Sequence, residues 1–289
     1  MRHAAHGPGD PRLVLRGIDR PTSADEIVAE DAKSDPVLGA LRGRFPWSRR
    51  VWAALIERLG NACAQAIVLD LVFGAENEGD AKLRAALEKF GDRVVIGSNL
   101  SPVETDRGTL SQLLPPSTSL LPAKNYETTA LDHRVGYVNI WPDDDGIFRR
   151  ARFRATNHEL GDVVNGPPNL VLESLDARVL SKLPHPKFRG SLPSFARIRF
   201  VGPPGMVLEM PSVGDVLTPK LWDANYAKGE FFKGKIVLIG PTANLFQDFH
   251  RTPFRRDMVG PEIHLNIINA GLSNRFVRES SNRTSALTL

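Results

Sequence analysis

Polar side chains that could bind a ligand or perform acid–base chemistry follow the strand-like segment KIVLIG, late in the chain. Thr242 comes almost directly after this segment, and Asp248 and His250 lie in the loop beyond it. Carboxylate and imidazole groups serve as metal ligands and as proton donors or acceptors. The loop is therefore a catalytic site, a ligand pocket or a well-tied connection, and its residues alone leave these three interpretations open.

Further polar residues lie at the ends of other apolar segments. Asp19 ends the first such segment, Asp70 lies within AIVLDLVF, and Ser98 follows RVVIG. Because ligands gather where parallel strands end, we expect these side chains to meet at one edge of a sheet. Glu262 and His264 open a helix that begins beside the same edge. The predicted ligand-binding residues are Asp19, Asp70, Thr242, Asp248, His250, Glu262 and His264.

This constellation has two functional interpretations and one structural alternative. A cation bound by Asp70, Asp248 and His250 is the first, and recognition of a polar metabolite is the second. In the structural alternative, Asp19 and Asp70 cap helices or tie loops, and His264 packs in the core.

Alternating strand and helix patterns must position these residues. Helical segments between short apolar strands imply right-handed crossovers and a parallel sheet. The predicted fold is α/β, a mainly parallel central sheet with helices on both faces, in a single domain over residues 10–279 with flexible tails at 1–9 and 280–289. The predicted strands are Leu13–Asp19, Ala66–Phe73, Arg93–Gly97, Ala196–Val201 and Lys235–Gly240, and the predicted helices are Arg49–Leu59, Asp80–Phe90, Leu170–Leu183 and Pro261–Leu272.

The middle of the chain departs from this alternation. Leu100–Thr129 is rich in Ser, Thr and Pro, which predicts a long irregular segment. Gly136–Trp141 and Ile147–Phe153 predict an inserted β-hairpin whose turn contains Asp145 and Gly146. The three aspartates of WPDDDG lack the ligand spacing of a calcium loop. The arginines that follow, at 150, 152 and 154, share one predicted strand face. A solvated face or pairing with these aspartates is favoured over binding of an anion or a nucleic-acid phosphate.

Composition and absent motifs exclude several classes of protein. With 42% hydrophobic and 24% charged residues the chain resembles globular proteins, and a net charge of +4 does not favour nucleic-acid binding. No apolar run reaches the ~18 residues of a membrane span, and the polar start lacks a secretory signal, which predicts a cytoplasmic chain or one excised from a longer protein. The single cysteine, Cys63, is predicted to be a small buried side chain. Nucleophile-elbow, phosphate-loop and dinucleotide motifs are absent, and we predict no cofactor.

Several segments occur in an order that is similar to a known family. They are GRFPWSRRVWAALIERL, AIVLDLVF, GYVNIWPDDDGIFRRARF, RIRFVGPPG, FFKGKIVLIGPTA, TPF and GPEIHLNIINA. Together, over Leu13 to Arg278, they resemble the type-two CHASE domain, the second class of cyclase and histidine-kinase associated sensory extracellular domains. Members usually have glycine where Cys63 stands, which implies an altered turn here.

The resemblance implies an extracytoplasmic, periplasmic sensor of a bacterial receptor. Such a domain is noncatalytic, binds an unknown small-molecule signal, and connects through transmembrane helices to a cytoplasmic cyclase or kinase; a homodimer is compatible with it. Our hypothesis is that a ligand in the strand-end cleft shifts the helix Pro261–Leu272. Two alternatives are a hydrolase whose metal is held by Asp70, Asp248 and His250, and a structural dimerisation module.

Overall fold

The computed structural model describes residues 9–19, 29–122, 126–164, 166–184, 192–205, 211–243 and 247–277. The predicted tails fall outside these ranges except for residue 9, and the single domain over 10–279 stays a prediction. The helices are α1 (Ala29–Ser34), α2 (Pro36–Leu41), α3 (Arg49–Asn61), α4 (Asp80–Phe90), α5 (Tyr126–Ala130), α6 (Leu175–Lys182), α7 (Gly214–Leu217), α8 (Pro219–Tyr226) and α9 (Gly260–Ser273), with 3₁₀ turns at His158–Leu160 and Ala227–Phe232. The strands are β1 (Leu13–Ile18), β2 (Ala66–Val72), β3 (Val94–Thr105), β4 (Gly108–Leu114), β5 (Val135–Tyr137), β6 (Arg150–Arg152), β7 (Arg154–Thr156), β8 (Val171–Glu173), β9 (Phe195–Ile198), β10 (Ile236–Pro241), β11 (Phe249–Arg251), β12 (Asp257–Val259) and β13 (Phe276–Val277).

A mainly parallel sheet forms the centre of the molecule. Its strands lie in the order β1, β10, β2, β3, and β5 pairs with the first half of β3. All of these pairings are parallel, whereas the second half of β3 pairs antiparallel with β4. β10, which comes late in the chain, therefore lies between β1 and β2, and the carboxyl ends of these three strands share one edge.

Helices cover both faces of this sheet. Side chains of β2 and β10 alternate between two hydrophobic clusters, as strands buried on both faces require. The cluster on one face includes α3, α4 and α7, and the cluster on the other includes α6 and α9. The predicted α/β fold with helices on both faces is confirmed.

The elements with the clearest periodicity form as predicted. In α3, Val51, Leu55 and Leu59 are buried on one face, and the hydroxyl of Ser48 accepts from Arg50 N at the first turn. α4 has the predicted bounds. α9 begins one residue early, with Pro261 in its first turn.

The predicted irregular segment Leu100–Thr129 is wrong for its first half. β3 continues to Thr105 and forms a hairpin with β4, in register from Asn99 opposite Leu114 to Thr105 opposite Gly108. Most of these side chains are polar and partly or fully exposed, so no apolar run marks the strands in sequence. The Thr105 hydroxyl donates to Gly108 O, and Gly108 has a φ of +100°, which fixes the turn.

The predicted hairpin around WPDDDG is wrong in its pairing, although its turn forms. Gly146 N donates to Asp143 O, and Arg149 holds Asp145 through two hydrogen bonds of 2.7 and 2.8 Å. The two flanking segments then diverge: β5 joins the central sheet beside β3, and β6 pairs with β9. Each segment therefore pairs with a strand that is distant in sequence, β3 or β9, and the two segments do not pair with each other.

Two further predictions need correction. The predicted helix Leu170–Leu183 begins late, because β8 occupies its first turn and Ser174 caps α6 by accepting from Ala177 N. Cys63 is exposed, not buried. It has a φ of +58° in the turn before β2, the left-handed conformation that glycine adopts most readily, so the cysteine occupies a glycine-like backbone position.

Candidate functional site

Asp70 reaches the interior through the alternation of β2. Ala66 and Val68 face the side of the sheet that α6 and α9 cover, and Asp70 follows them on that side. The register with β3 shifts between Leu69 and Val72, and such bulges commonly redirect a side chain. Only 8% of Asp70 is exposed. A carboxyl group therefore lies where the pattern of the strand would otherwise place an apolar side chain.

His264 of α9 faces this carboxyl group from the helix layer. Its Nε2 lies 3.9 Å from Asp70 Oδ1 and 3.2 Å from the carbonyl oxygen of Val138. Its Nδ1 lies 3.0 and 3.1 Å from the two carboxyl oxygens of Asp176 in α6. Because acceptors face both ring nitrogens, only the doubly protonated imidazolium can donate to both. The geometry therefore indicates a buried cation between two carboxyl groups.

The electrostatics agree with this assignment. Burial lowers the pKa of His264, but the carboxyl groups of Asp176 and Asp70 outweigh burial and raise it to about 10. Burial raises the pKa of Asp70 to about 6, and His264 opposes that increase. At neutral pH the ring is therefore charged. We call Asp70, Asp176 and His264 the buried triad.

Asp176 is the member of the triad that the sequence did not reveal as a candidate. It lies on the buried side of α6 with Val179, Leu180 and Leu183, three, four and seven residues further along, and only 2% of it is exposed. A carboxyl group within an apolar helical stripe is uncommon unless it has a partner. That misplaced charge is the sequence signal that could have identified it.

Asp248 and His250 lie next to the triad but closer to solvent. His250 Nε2 is 3.0 Å from Asp248 Oδ1, and their side chains are 26% and 32% exposed, respectively. The carboxyl group of Asp248 packs against Gly260, where any larger residue would collide with it. β11, which carries His250, pairs with β12, which leads directly into α9. Asp248 and His250 both act on the pKa of Asp70, so the pair and the triad form one electrostatic unit.

The remaining predicted residues lie outside this unit. Asp19 follows β1 at the same edge, two strands from β2. Thr242 fastens β10 to β1, because its backbone N–H donates to Ile18 O and its side chain packs against Gly17. Glu262 accepts from Gly205 N, and burial raises its pKa. The structure thus brings together Asp70, Asp248, His250 and His264, and it adds Asp176.

The predicted arginine face is divided between two small sheets. Arg150 and Arg152 lie in β6, and Arg154 lies in β7, where it pairs with Glu173. Arg150 lies 3.7 Å from Asp143, which confirms the predicted pairing with the aspartates of WPDDDG for that residue.

A small cavity reaches the triad from the side of this arginine face. Its volume is about 50 Å³, and Asp176, Ser174, Trp141 and Arg152 are among its lining residues. Asp176 therefore contacts His264 on one side and lines this cavity on the other.

The arrangement is a cluster of opposite charges at the carboxyl edge of the sheet. Among the residues the structure describes, no group of three or more His, Cys, Asp and Glu side chains is arranged to hold a metal ion. Three carboxyl groups surround one buried imidazolium, and a second imidazole lies at the exposed side. Perturbed titratable groups of this kind concentrate at functional sites, although structural ion pairs also produce them.

Comparison with known proteins gives one match. The sequence profile of the CHASE2 domain matches residues 10–288. No curated protein and no solved structure matches the chain. Within the described ranges, no helix has both the length and the apolar character needed to cross a bilayer. CHASE2 domains are sensory extracellular domains and are generally noncatalytic. With its α/β sheet and a profile match over almost the whole length, this chain belongs to the CHASE2 domain family.

Proposed function

We propose that this chain is the noncatalytic input domain of a bacterial transmembrane receptor, and that its signal is a small polar molecule bound at the carboxyl edge of the sheet. Asp248 and His250 contact the ligand, and the buried triad sets the charge behind them. Asp19, Thr242 and Glu262 border the site. Family membership supports the sensory role, and the charge cluster supports this location.

The buried triad is the observation that carries the location. Burying charged groups costs stability unless they are paired, and a packed apolar core would be at least as stable. The triad lies beside a half-exposed Asp–His pair, at the edge where ligands bind in open α/β sheets. We infer that this charge is retained for recognition.

The sign of the charge suggests the chemical class of the ligand. Asp70, Asp176 and Asp248 place three carboxyl groups around the single imidazolium of His264. The excess of negative charge favours a ligand that carries an ammonium group or several hydrogen-bond donors. Amines and amino acids are therefore better candidates than carboxylates or phosphates.

Helix α9 connects this site to the end of the chain. It carries His264, begins against Asp248, and is followed by β13, which pairs with β9. A ligand that pulls on Asp248 would shift the start of α9. In a receptor this displacement would pass to a transmembrane helix and on to a cyclase or kinase output domain, within a homodimer if the receptor assembles as one.

Native mass spectrometry of the purified chain tests the proposal. The chain is measured as purified and after incubation with millimolar mixtures of amines, amino acids and sugars. We expect a stoichiometric organic ligand that is lost on denaturation and absent from the Asp248→Ala/His250→Ala variant. The matched control is His158→Ala/Asp162→Ala, which removes an exposed His–Asp pair elsewhere, with the ring nitrogen 3.4 Å from the carboxyl oxygen.

The outcomes separate the candidate functions. A ligand bound equally by both double variants would contradict the location of the site. A protein that binds none of the mixtures would contradict the ligand class, and a ligand-free dimer would favour a dimerisation module. A divalent metal in 1:1 ratio that is lost in Asp248→Ala would favour the hydrolase alternative.

A further inference from the structure

A second cavity lies at the opposite edge of the sheet, beneath the residues that lead into β1. Its volume is about 180 Å³. One wall is formed by the leading segment, residues 9–11, and another by the second half of α9. The lining residues are Gly9, Asp10, Pro11, Leu13, Val201, Leu265, Asn266 and Asn269.

Asn269 lines this cavity, and its side-chain nitrogen, Nδ2, is a buried donor without an acceptor among the described residues. Only 1% of Asn269 is exposed, and its Oδ1 accepts from Asp10 N at 2.8 Å. That hydrogen bond fixes which end of the amide is oxygen and which is nitrogen. Among the described residues, no acceptor lies within hydrogen-bond reach of Nδ2. Buried amide donors are almost always paired, so this one indicates a missing partner.

The neighbouring Asn266 provides a comparison within the same wall. Its Oδ1 accepts from Val201 N, and its Nδ2 donates to Glu262 O, both at 2.9 Å. Asn266 is therefore satisfied by the protein alone, whereas Asn269 is satisfied only on its oxygen side. Of the two asparagines, Asn269 is therefore the one whose Nδ2 donor is available to a ligand in the cavity.

The charge and size of the cavity limit what could bind. Asp10 is the single charged residue among the lining residues, and Arg12 neutralises it through hydrogen bonds of 2.7 and 2.9 Å. Leu13, Val201 and Leu265 supply apolar walls. Engineered cavities of roughly 150 Å³ bind benzene. The cavity thus suits an uncharged molecule of about six to eight non-hydrogen atoms.

We propose that this cavity is a binding site for a small uncharged molecule that combines an apolar body with one carbonyl-type acceptor, which Asn269 Nδ2 contacts. Its occupant bridges the leading segment and α9, which Asp10 N and Asn269 Oδ1 already join. Because α9 also carries His264, occupancy would stabilise the helix that borders the charged site. The proposal does not rest on a ligand at that charged site.

NMR titration with two probes of matched shape tests this site. Cyclohexanone carries the carbonyl acceptor, and methylenecyclohexane replaces that oxygen with a CH₂ group. We expect cyclohexanone to shift the Asn269 side-chain amide resonances and the backbone amides of Asp10, Leu13 and Val201. In Asn269→Leu, the preference for the ketone over the hydrocarbon should fall by about 3–10-fold, the value of one neutral hydrogen bond.

Two further variants and one control complete the test. Val201→Phe fills the cavity from the opposite wall and should abolish binding of both probes. Asn61→Leu makes the same exchange at an exposed position of α3 and should bind both as wild type does. The Asp248→Ala/His250→Ala variant should also bind normally, which separates this site from the charged one.

Three results would overturn the proposal. In the first, neither probe perturbs the resonances of the lining residues. In the second, the ketone preference is unchanged in Asn269→Leu although the variant is folded by circular dichroism. In the third, water-to-amide Overhauser effects at Asn269 persist at saturating cyclohexanone, which would assign the position to a bound water molecule.

Discussion

Helices α3 and α9 cover opposite faces of one sheet, but they bury different kinds of side chain. In α3 the buried residues are apolar except for Arg49 in the first turn, which lies over the ring of Phe73. In α9 every residue from Gly260 to Leu272 is buried, and four of these residues are polar or charged: Glu262, His264, Asn266 and Asn269. An apolar face needs only volume to be filled, whereas each buried polar group needs a specific partner.

This difference is the reason that we propose the ligand site on the α9 side of the sheet. The polar groups of α9 bind Asp176, Gly205, Val201 and Asp10 in four separate segments. α9 is therefore hydrogen-bonded to segments at both edges of the sheet, so a displacement at either edge would act on this helix. α3 serves as a packing layer whose stability depends on the apolar area that it buries.

Removal of the buried imidazolium should have the largest effect. We expect His264→Ala to reduce the free energy of unfolding at pH 7 by about 3–5 kcal/mol, because it leaves the carboxyl groups of Asp70 and Asp176 buried without their cation. Urea denaturation measures the change. His158→Ala, at an exposed histidine, is the control and should change it by less than about 0.5 kcal/mol.

The same variant should show a characteristic dependence on pH. The folded-state pKa of His264 is raised from 6.5 to about 10, so its stabilisation is complete below pH 6.5 and lost as pH rises through 10. The difference between wild type and His264→Ala should therefore narrow above pH 7, by up to about 1.4 kcal/mol per pH unit. A difference that stays constant from pH 7 to pH 10 would show that the ring is neutral.

Leu55→Ala in α3 is the matching change on the apolar face, with a slightly smaller expected effect. The side chain is fully buried, and we expect a loss of about 2–5 kcal/mol from lost burial and the cavity left behind. Because no charge is involved, the loss should be equal at pH 7 and pH 10 in urea denaturation. A loss that changes with pH as that of His264→Ala does would remove the distinction between the two faces.

The half-exposed pair should contribute least to stability. We expect Asp248→Ala/His250→Ala to cost about 1 kcal/mol or less, because partly exposed ion pairs contribute little. Thermal unfolding of this variant and of the wild type under the same conditions measures the loss of stability. A loss as large as that of His264→Ala would make the pair part of the structural network and would remove it as a ligand contact.

The sequence predicted those parts of the fold that depend on local periodicity. α3, α4, β2, β10 and α9 were recognised because apolar residues recur at the spacing of one buried face or form a short buried strand. The hairpin of β3 and β4 was missed because its exposed polar residues carry no such signal. The divergence of β5 and β6 was missed because their partners, β3 and β9, lie far away in the sequence.

The candidate site was predictable to a similar extent. Asp70, Asp248 and His264 were identified by their positions at strand ends and at the start of α9. Asp176 was not identified, because it was assigned to the interior of a helix whose start was misplaced by five residues. Thr242 lies at the predicted edge of the sheet, but its backbone N–H donates to Ile18 O and so joins β10 to β1.

By itself the sequence determined the α/β class, the central parallel strands and the edge at which polar side chains gather, since alternation and helical spacing are properties of neighbouring residues. Only the tertiary structure decided that Asp176 and the Val138 carbonyl place acceptors at both ring nitrogens of His264, which favours the doubly protonated ring. Only the tertiary structure decided, too, that the Nδ2 donor of Asn269 has no acceptor among the described residues, whereas that of Asn266 has one. Charge states and hydrogen-bond partners depend on burial and on contacts between segments up to 259 residues apart, such as Asp10 and Asn269. No local pattern encodes contacts of that range.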